Sequence, residues 1–498
     1  MVSHRFTQRT APKSHPCVLD DANSKPDSCP PTATIKHTLV RSLSFNLRVE
    51  SHIQMAKIFP FRALRYNPAK VQVQDVVTQP YDKISPAMQE RYYQASPFNL
   101  VRIILGKAEP GDNDQKNVYQ RAAASLKAWR DEHVVVQDAE PSIYLYTQTF
   151  TVPGDSSGAR LERRGFIAAG QLETYDQGVV FRHEQTLSKP KADRLNLLRA
   201  TQAHFGQIFM LYSDPDGEVE AALTQSRPAD IEVLDEYDVV HRLWKVSDPA
   251  VIGRVQEAML NKSLIIADGH HRYETALNHR NEMRQQTGKS GDAPHERVMM
   301  TLVNMDSSGL VVLPTHRVVV GLQGFDLLAT LKRLEKYFDV EKLEVGGDLK
   351  VATEKLREAG QDKTALLAVA PDAWYLLRVR GDQQSDALAG QSKQQRALDV
   401  VQLHKLVLEE TLGMTEEDIR DQKHLKYVRE AREAVDEVRR GSNVVFIMNP
   451  VRMQQVRDIA FGGDVLPQKS TDFFPKLLSG LTVYTLEEPG QPIVSGGR

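Results

Sequence analysis

Ser263-Leu264-Ile265-Ile266-Ala267-Asp268-Gly269-His270-His271-Arg272 reads as a buried strand that breaks at Asp-Gly and restarts as a helix. The short apolar run has strand length, and Tyr273, Ala276, Leu277 and Met283 then fall roughly on one helical face. Gly269 suits the tight turn because it adopts positive φ without a Cβ penalty. A helix starting there exposes backbone N–H donors at the positive end of its dipole, a natural phosphate seat, and His270, His271 and Arg272 add side-chain donors. The competing reading is a plain capped helix, with two surface histidines and Arg272 paired to Glu274 or Asp268. Three cationic or proton-carrying side chains at a helix start oppose the dipole, which favours an anion over a simple cap.

Outward from this turn the chain alternates elements. Val71 to Val77 reads as extended, Pro86 to Ala95 as helical, Leu100 to Leu105 as extended and Asn117 to His133 as helical. Ile143 to Thr151 and Arg164 to Leu172 read as strands joined by a loop from Pro153 to Gly158. A strand at Ile208 to Tyr212, a helix near Glu218 to Thr224, strands within Ile231 to Val246 and a helix at Pro249 to Asn261 lead to the decisive turn. Val298 to Met305 and Leu310 to Pro314 suggest a hairpin that delivers Thr315-His316-Arg317. Beyond about residue 325 longer amphipathic stretches take over: Ala397 to Leu412, Thr415 to Arg440 with an interruption near His424, and a buried strand at Asn443 to Met448. Gly381 to Gln395 reads as a surface loop. The pattern is α/β, with α+β as the alternative. It divides into a poorly ordered extension at 1–54, a region at 55–325 and a C-terminal α/β region at 326–498.

Composition bounds the function. The 498 residues include 63 Lys plus Arg and 65 Asp plus Glu, so the chain lacks the overall positive field of a non-specific nucleic-acid binder. Cys17 and Cys29 lie in the N-terminal extension, and no disulfide framework supports the fold. No apolar run approaches the roughly 18 residues needed to span a bilayer, and a reducing cytoplasm is the expected compartment. The extension has no compact signal-peptide core, and Asp20, Asp21 and Asp27 argue against a transit peptide.

Other polar clusters could join the turn. Arg182-His183-Glu184-Gln185-Thr186 leads into Lys189 to Arg194, where Pro190 suits the first helical position and Lys191 and Arg194 share a face. Glu184, a carboxylate beside bound phosphate, is placed to accept the proton of an attacking hydroxyl. The His183-Glu184 pair lacks the second histidine of a zinc-protease helix, and no metal ligand set is assigned. Gly463 to Ser470 has P-loop spacing, yet Gln468 stands where glycine should precede the lysine. Lys469, Ser470 and Thr471 remain anion-donor candidates, or else a polar turn before Phe473-Phe474. Asp82, after Gln79-Pro80-Tyr81, sits in a loop suited to a binding carboxylate or to an ordinary turn.

Phe59-Pro60-Phe61-Arg62, Pro80-Tyr81-Asp82, His183-Glu184 with Lys191 and Arg194, Ala267 to Tyr273, Leu313 to Arg317, and Pro467 to Lys476 together resemble, in order, the domain-of-unknown-function family 1015, often labelled ParB-like. The resemblance runs from Met55 to about Val483. The Asp268 to Arg272 turn is also similar to the phosphate-binding turn of the ParB/sulfiredoxin superfamily, and in particular of free-serine kinases. That resemblance implies a ParB/sulfiredoxin-like catalytic region. In it Gly269, His270, His271 and Arg272 hold phosphate, and Asp268 orients substrate or metal. The resemblance also implies a carboxylate base, Glu184 first and Asp82 second; His183, Lys191, Arg194, Asp82, Arg317, Lys469, Ser470 and Thr471 are candidates for the phosphate or substrate site by their own chemistry. The implied activity moves a phosphoryl group from ATP, ADP or pyrophosphate, with Mg2+, to a small hydroxyl compound such as free L-serine. The alternatives are a nucleotide-binding regulator of the ParB kind that engages DNA, and a phosphoserine hydrolase. About 185 residues separate Asp82 from Asp268, more than a compact kinase core would place there.

Overall fold

Apolar strands that are buried on both faces need layers on each side, and two sheets meet that need here. The computed structural model describes residues 56–155, 157–185, 189–381 and 386–487, the side chains of 189–191 excepted. The expected extension at 1–54 lies outside the described residues. Nine strands form the first sheet, eight of them in the order Val180–Arg182, Leu264–Asp268, Ile208–Tyr212, Arg297–Asn304, Arg160–Gln171, Ile143–Thr151, Val240–Val246, Ile231–Leu234. The ninth, Ile58–Phe59, pairs with Arg160–Gln171. The sheet is mixed: Leu264–Asp268 runs parallel to Val180–Arg182, and Arg297–Asn304 runs parallel to Ile208–Tyr212. One face packs on the helix Pro249–Met259 and on Tyr273 and Ala276; the other packs on Phe473, Leu477, Leu478 and Leu481 from the end of the chain.

The second sheet is antiparallel, in the order Phe338–Leu343, Trp374–Val379, Ala365–Val369, Val444–Met448, His316–Val319, Leu425–Val428. Helices cover both faces, Leu327–Leu334 on one, Leu349–Ala359 and Ala431–Arg439 on the other. The molecule is therefore a mixed α/β protein. Two-stranded ribbons return the C-terminal segment to the first sheet: Asp472–Phe474 pairs with Val311–Leu313, and Tyr484–Thr485 with Ala203–His204.

Several local expectations give way to tertiary packing. Val71 to Val77 is not a strand but contains a 3-10 turn at Val73–Asp75, which the Val76 and Val77 amides close on the Val73 carbonyl, both at 3.2 Å. Leu100 to Leu105 holds a short helix, Val101–Ile104. Asn99 caps it by accepting from the Val101 amide at 2.9 Å, and burial of Leu100, Val101, Ile103 and Ile104 follows helical spacing. The hairpin expected from Val298 to Pro314 does not form. Arg297–Asn304 lies between two other strands of the first sheet, while Val311–Leu313 takes its partner from 472–474. The interruption near His424 in the Thr415 to Arg440 stretch is a strand, Leu425–Val428, between the helices Glu416–Arg420 and Ala431–Arg439.

Candidate functional site

Parallel pairing of Leu264–Asp268 with Val180–Arg182 brings two of the sequence's polar clusters to one edge. The register sets Leu264 opposite Val180 and Ile266 opposite Arg182, so His183-Glu184 and Asp268-Gly269 leave the sheet side by side. Crevices beyond the carboxyl ends of parallel strands are where ligands bind in α/β proteins. Here the crevice is a cleft of about 330 Å³ lined by Asp82, Glu184, Asp268, Gly269, His270, His271, Arg272, Lys469 and Thr471. Lys83, Arg429, Asp472 and Lys476 line it too and had not been singled out as site residues.

Gly269 is the N-cap of the helix His270–Thr287, with φ 96° and no side chain capping the helix start. Among the described residues the amides of His270 and Arg272 meet no protein acceptor, while Tyr273 N–H closes the first turn on the Gly269 carbonyl at 2.9 Å. A Cβ on residue 269 would lie 3.1 Å from Arg272 Cζ, so the glycine also admits the guanidinium. Arg272 Nη2 donates to Asp268 Oδ2 at 2.8 Å, and Nη1 donates to the Gln207 carbonyl. Arg272 thus braces the turn from within. Tyr273 anchors the helix, its hydroxyl donating to the Glu173 carbonyl at 2.7 Å.

A chain of alternating charges crosses the cleft floor. Lys476 Nζ lies 3.3 Å from Asp268 Oδ1 and 2.8 Å from Asp472 Oδ1, and Arg429 Nε lies 2.8 Å from Asp472 Oδ2. Burial alone would push the Asp268 carboxyl up, but Lys476, Arg272 and Lys83 outweigh it and hold the group well below the usual carboxylate range. Asp472 is likewise held down, by Lys476, Arg429 and Lys83 against burial. Lys83 is lowered to about 8, first by burial and then by the neighbouring Lys476 and Arg429. Lys476 is fixed through its backbone: Gln148 Nε2 donates to its carbonyl at 2.8 Å, and buried Arg163 donates to the carbonyls of Phe474 and Pro475.

Glu184 lines the same cleft, at the end of the neighbouring strand. Leu466 N–H donates to the His183 carbonyl at 2.7 Å, and the Lys469 amide donates to Glu184 Oε1. Burial pushes the Glu184 carboxyl up, against the Lys469 amide. His183 is fully buried, which lowers it to about 4, so its ring is neutral. Its Nδ1 faces the Ile266 carbonyl at 2.7 Å and must carry the proton, which leaves Nε2 to accept from the Thr471 hydroxyl at 2.8 Å. That hydroxyl's single proton is then spent. Glu184 Oε2 lies 3.4 Å from the same hydroxyl oxygen. His183 is therefore a buttress beneath the cleft.

The remaining candidates lie elsewhere. Arg194 stacks over Tyr81 at 4.1 Å, pairs with Asp193 and donates to the Ile104 carbonyl at 2.7 Å, lining a neighbouring small cavity that Arg272 also borders. Lys191 belongs to the helix Lys189–Thr201, with its side chain outside the described residues. Buried Arg317 and Ser470 face a different cavity, in the second sheet's territory. Among the described residues no group of three or more His, Cys, Asp or Glu is arranged to hold a metal ion. No described helix is long and apolar enough to cross a membrane.

The model of the family named protein of unknown function, DUF1015, matches residues 58–401. This chain belongs to DUF1015. No curated protein matches this DUF1015 chain. Among solved structures, a free serine kinase in complex with AMP is 16% identical, with a TM-score of 0.31 over 61% of this chain and 89% of that one. A conserved hypothetical protein from Pyrococcus furiosus is 13% identical, with a TM-score of 0.31 over 62% of this chain and 93% of that one. SbnI with C-terminal truncation from Staphylococcus aureus is 10% identical, with a TM-score of 0.33 over 65% of this chain and 90% of that one.

Proposed function

We propose that this DUF1015 protein is a phosphotransferase that moves a phosphoryl group from a nucleotide or pyrophosphate to a small hydroxyl compound, free L-serine being the acceptor. The observation that carries the reading is the meeting, at the ends of two parallel strands, of an uncapped helix start and a carboxyl group raised by burial. The catalytic region is the 55–325 segment, completed by Lys469, Thr471, Asp472 and Lys476 from the C-terminal region. Its turn is of the ParB/sulfiredoxin kind that the sequence resembles, and L-serine follows from the same resemblance to free-serine kinases.

Five cationic side chains against four carboxylates line the cleft, and the helix dipole adds to the positive side. The donor's phosphates rest on the amides of His270 and Arg272, with Lys83, Lys469 and Lys476 around them. Glu184, ionised, accepts the acceptor's hydroxyl proton as the new O–P bond forms and the donor's phosphoanhydride bond breaks, the leaving phosphate keeping the bond's electron pair. A carboxyl group raised by burial is suited to that exchange. Mg2+ arriving with the donor would be held by Asp82, since Asp268 and Asp472 are already paired with cations and Glu184 serves as the base; bound there it would neutralise phosphate oxygens.

The test is incubation of the full chain with L-serine, Mg2+ and ATP, ADP or pyrophosphate in turn. Phosphoserine should form with at least one donor, and Glu184→Gln should lower kcat by roughly a hundredfold or more, the range of general-base catalysis, while donor affinity holds. No phosphoserine with any donor defeats the serine assignment. Hydrolysis of phosphoserine without donor formation would instead place the same residues in the reverse, phosphatase chemistry.

A further inference from the structure

Behind the Lys469 to Thr471 segment lies a second cavity of about 250 Å³, sharing Thr315 with the cleft. Arg317, Arg357 and Arg452 all line it, and none of the three forms a salt bridge among the described residues. Arg317 is 1% exposed, an extreme burial for a guanidinium. Its Nη1 donates to the Thr315 carbonyl and its Nη2 to the Lys469 carbonyl at 3.1 Å, leaving Nε buried with no acceptor. The Arg452 guanidinium donates, among the described residues, to the Gln361 carbonyl at 3.2 Å. Asp399 is the cavity's one carboxyl among the described lining residues, engaged by Thr364 and Asn449. Burial raises it to about 7, so it is a weak counter-ion for three arginines at neutral pH. Leu398, Met448 and Val451 add apolar surface to the lining.

A buried positive charge with an unsatisfied donor calls for an acceptor, and guanidinium groups match the paired oxygens of carboxylates and phosphates. The apolar surface asks for a carbon body as well. We propose that this cavity is a second binding site, separate from the cleft, for a small organic anion that sets a carboxylate or phosphate head against Arg317, Arg357 and Arg452 and a short hydrocarbon body against Leu398, Met448 and Val451. The proposal does not depend on phosphoryl transfer in the cleft. Its position gives it a consequence there: Arg317 holds the Lys469 carbonyl, and the amide of the same residue holds Glu184. An anion that draws on Arg317 acts on the segment that carries the Glu184 partner.

Calorimetric titration of the full chain with butyrate and with butyl phosphate tests the site, with butanol as the body without the head. At least one anion should bind, and butanol should bind at least tenfold more weakly, the loss of about one charge-assisted hydrogen bond. Arg357→Gln with Arg452→Gln, both at exposed positions, should weaken the anion by a similar factor, whereas Lys83→Met in the cleft should leave it unchanged. Which anion binds tells the head group. The proposal is overturned if neither anion binds, if butanol binds equally, if the double variant binds like the parent, or if only Lys83→Met abolishes binding.

Discussion

Lys476→Met tests the charge chain on the cleft floor. At an effective dielectric near 20, contacts of 3.3 Å to Asp268 and 2.8 Å to Asp472 are each worth about 5 to 6 kcal/mol before the lysine's desolvation is set against them. Removing one partner of a buried pair costs about 3 to 5 kcal/mol, because the other charge stays buried and uncompensated. Asp268 keeps Arg272 and Asp472 keeps Arg429, which places the expected loss near the lower end, ~3 kcal/mol. Guanidinium denaturation at neutral pH measures it.

The acid limb gives the sign. Asp268 and Asp472 are held below their unfolded pKa values, so the stability they contribute is complete above about pH 4 and is lost as pH falls through the folded values. Lys476 supplies part of that depression. The gap between parent and Lys476→Met should therefore be widest near neutrality and narrow below about pH 4. Adding Asp472→Asn removes one of the two buried charges that lost Lys476 and should recover about 1 kcal/mol or more relative to simple addition of the two single effects. A loss below about 0.5 kcal/mol, a gap that widens in acid, or strict additivity would refute the ion-pair reasoning.

Two further outcomes follow from the turn and from Lys83. Gly269→Ala forces a Cβ onto φ 96° and to 3.1 Å from Arg272, so stability should fall by about 1 to 2 kcal/mol and ADP affinity by roughly tenfold; unchanged affinity in calorimetry would show that the turn does not hold the donor. Lys83, lowered to about 8, must be protonated to favour a phosphate, so ADP affinity should be flat below pH 8 and fall as pH rises above it, with proton uptake on binding. Lys83→Met should flatten that limb, and a limb that persists would assign it to another group.

What could be read from the sequence was local. Leu264 to Ala267 is apolar and short, Asp268-Gly269 breaks it, and the helix restarts at once, so each step of the strand, turn and helix is written in adjacent residues. Pro86–Ala95 carries its own start signal, Ser85, whose hydroxyl accepts from the Met88 amide. The β-branched stretches at 71–77 and 100–105 misled because such residues fit a pleated strand, yet the first closes a 3-10 turn on the Val73 carbonyl and the second buries its residues at helical spacing. Lys476 and Asp472 reach the cleft only because Asp472–Phe474 pairs with Val311–Leu313, a contact across about 160 residues that no window of sequence holds. The Pro467 to Lys476 stretch did carry the family resemblance, and Lys83 directly follows Asp82; those were the available signals. Arg317 and Ser470 were singled out for their chemistry, but strand His316–Val319 joins the second sheet and carries Arg317 to its cavity, which Ser470 also lines from the 467–471 loop.

The Lys469 peptide shows why the two sheets must act together. Its φ of 59° is the left-handed conformation, which costs a lysine about 1 kcal/mol or more that an ordinary loop would avoid. Its carbonyl is held by Arg317, which the second sheet buries, and its amide is held by Glu184, which follows a strand of the first. Relaxing that conformation would release one end or the other. If the carbonyl end is freed, Glu184 keeps its donor but loses the fixed position of it; if the amide end is freed, the carboxyl loses a donor that opposes burial and moves higher. Burial acts most strongly on the proposed base and the Lys469 peptide opposes it, so residues 55–325 alone would present the proposed phosphate seat without that counterweight from the C-terminal region.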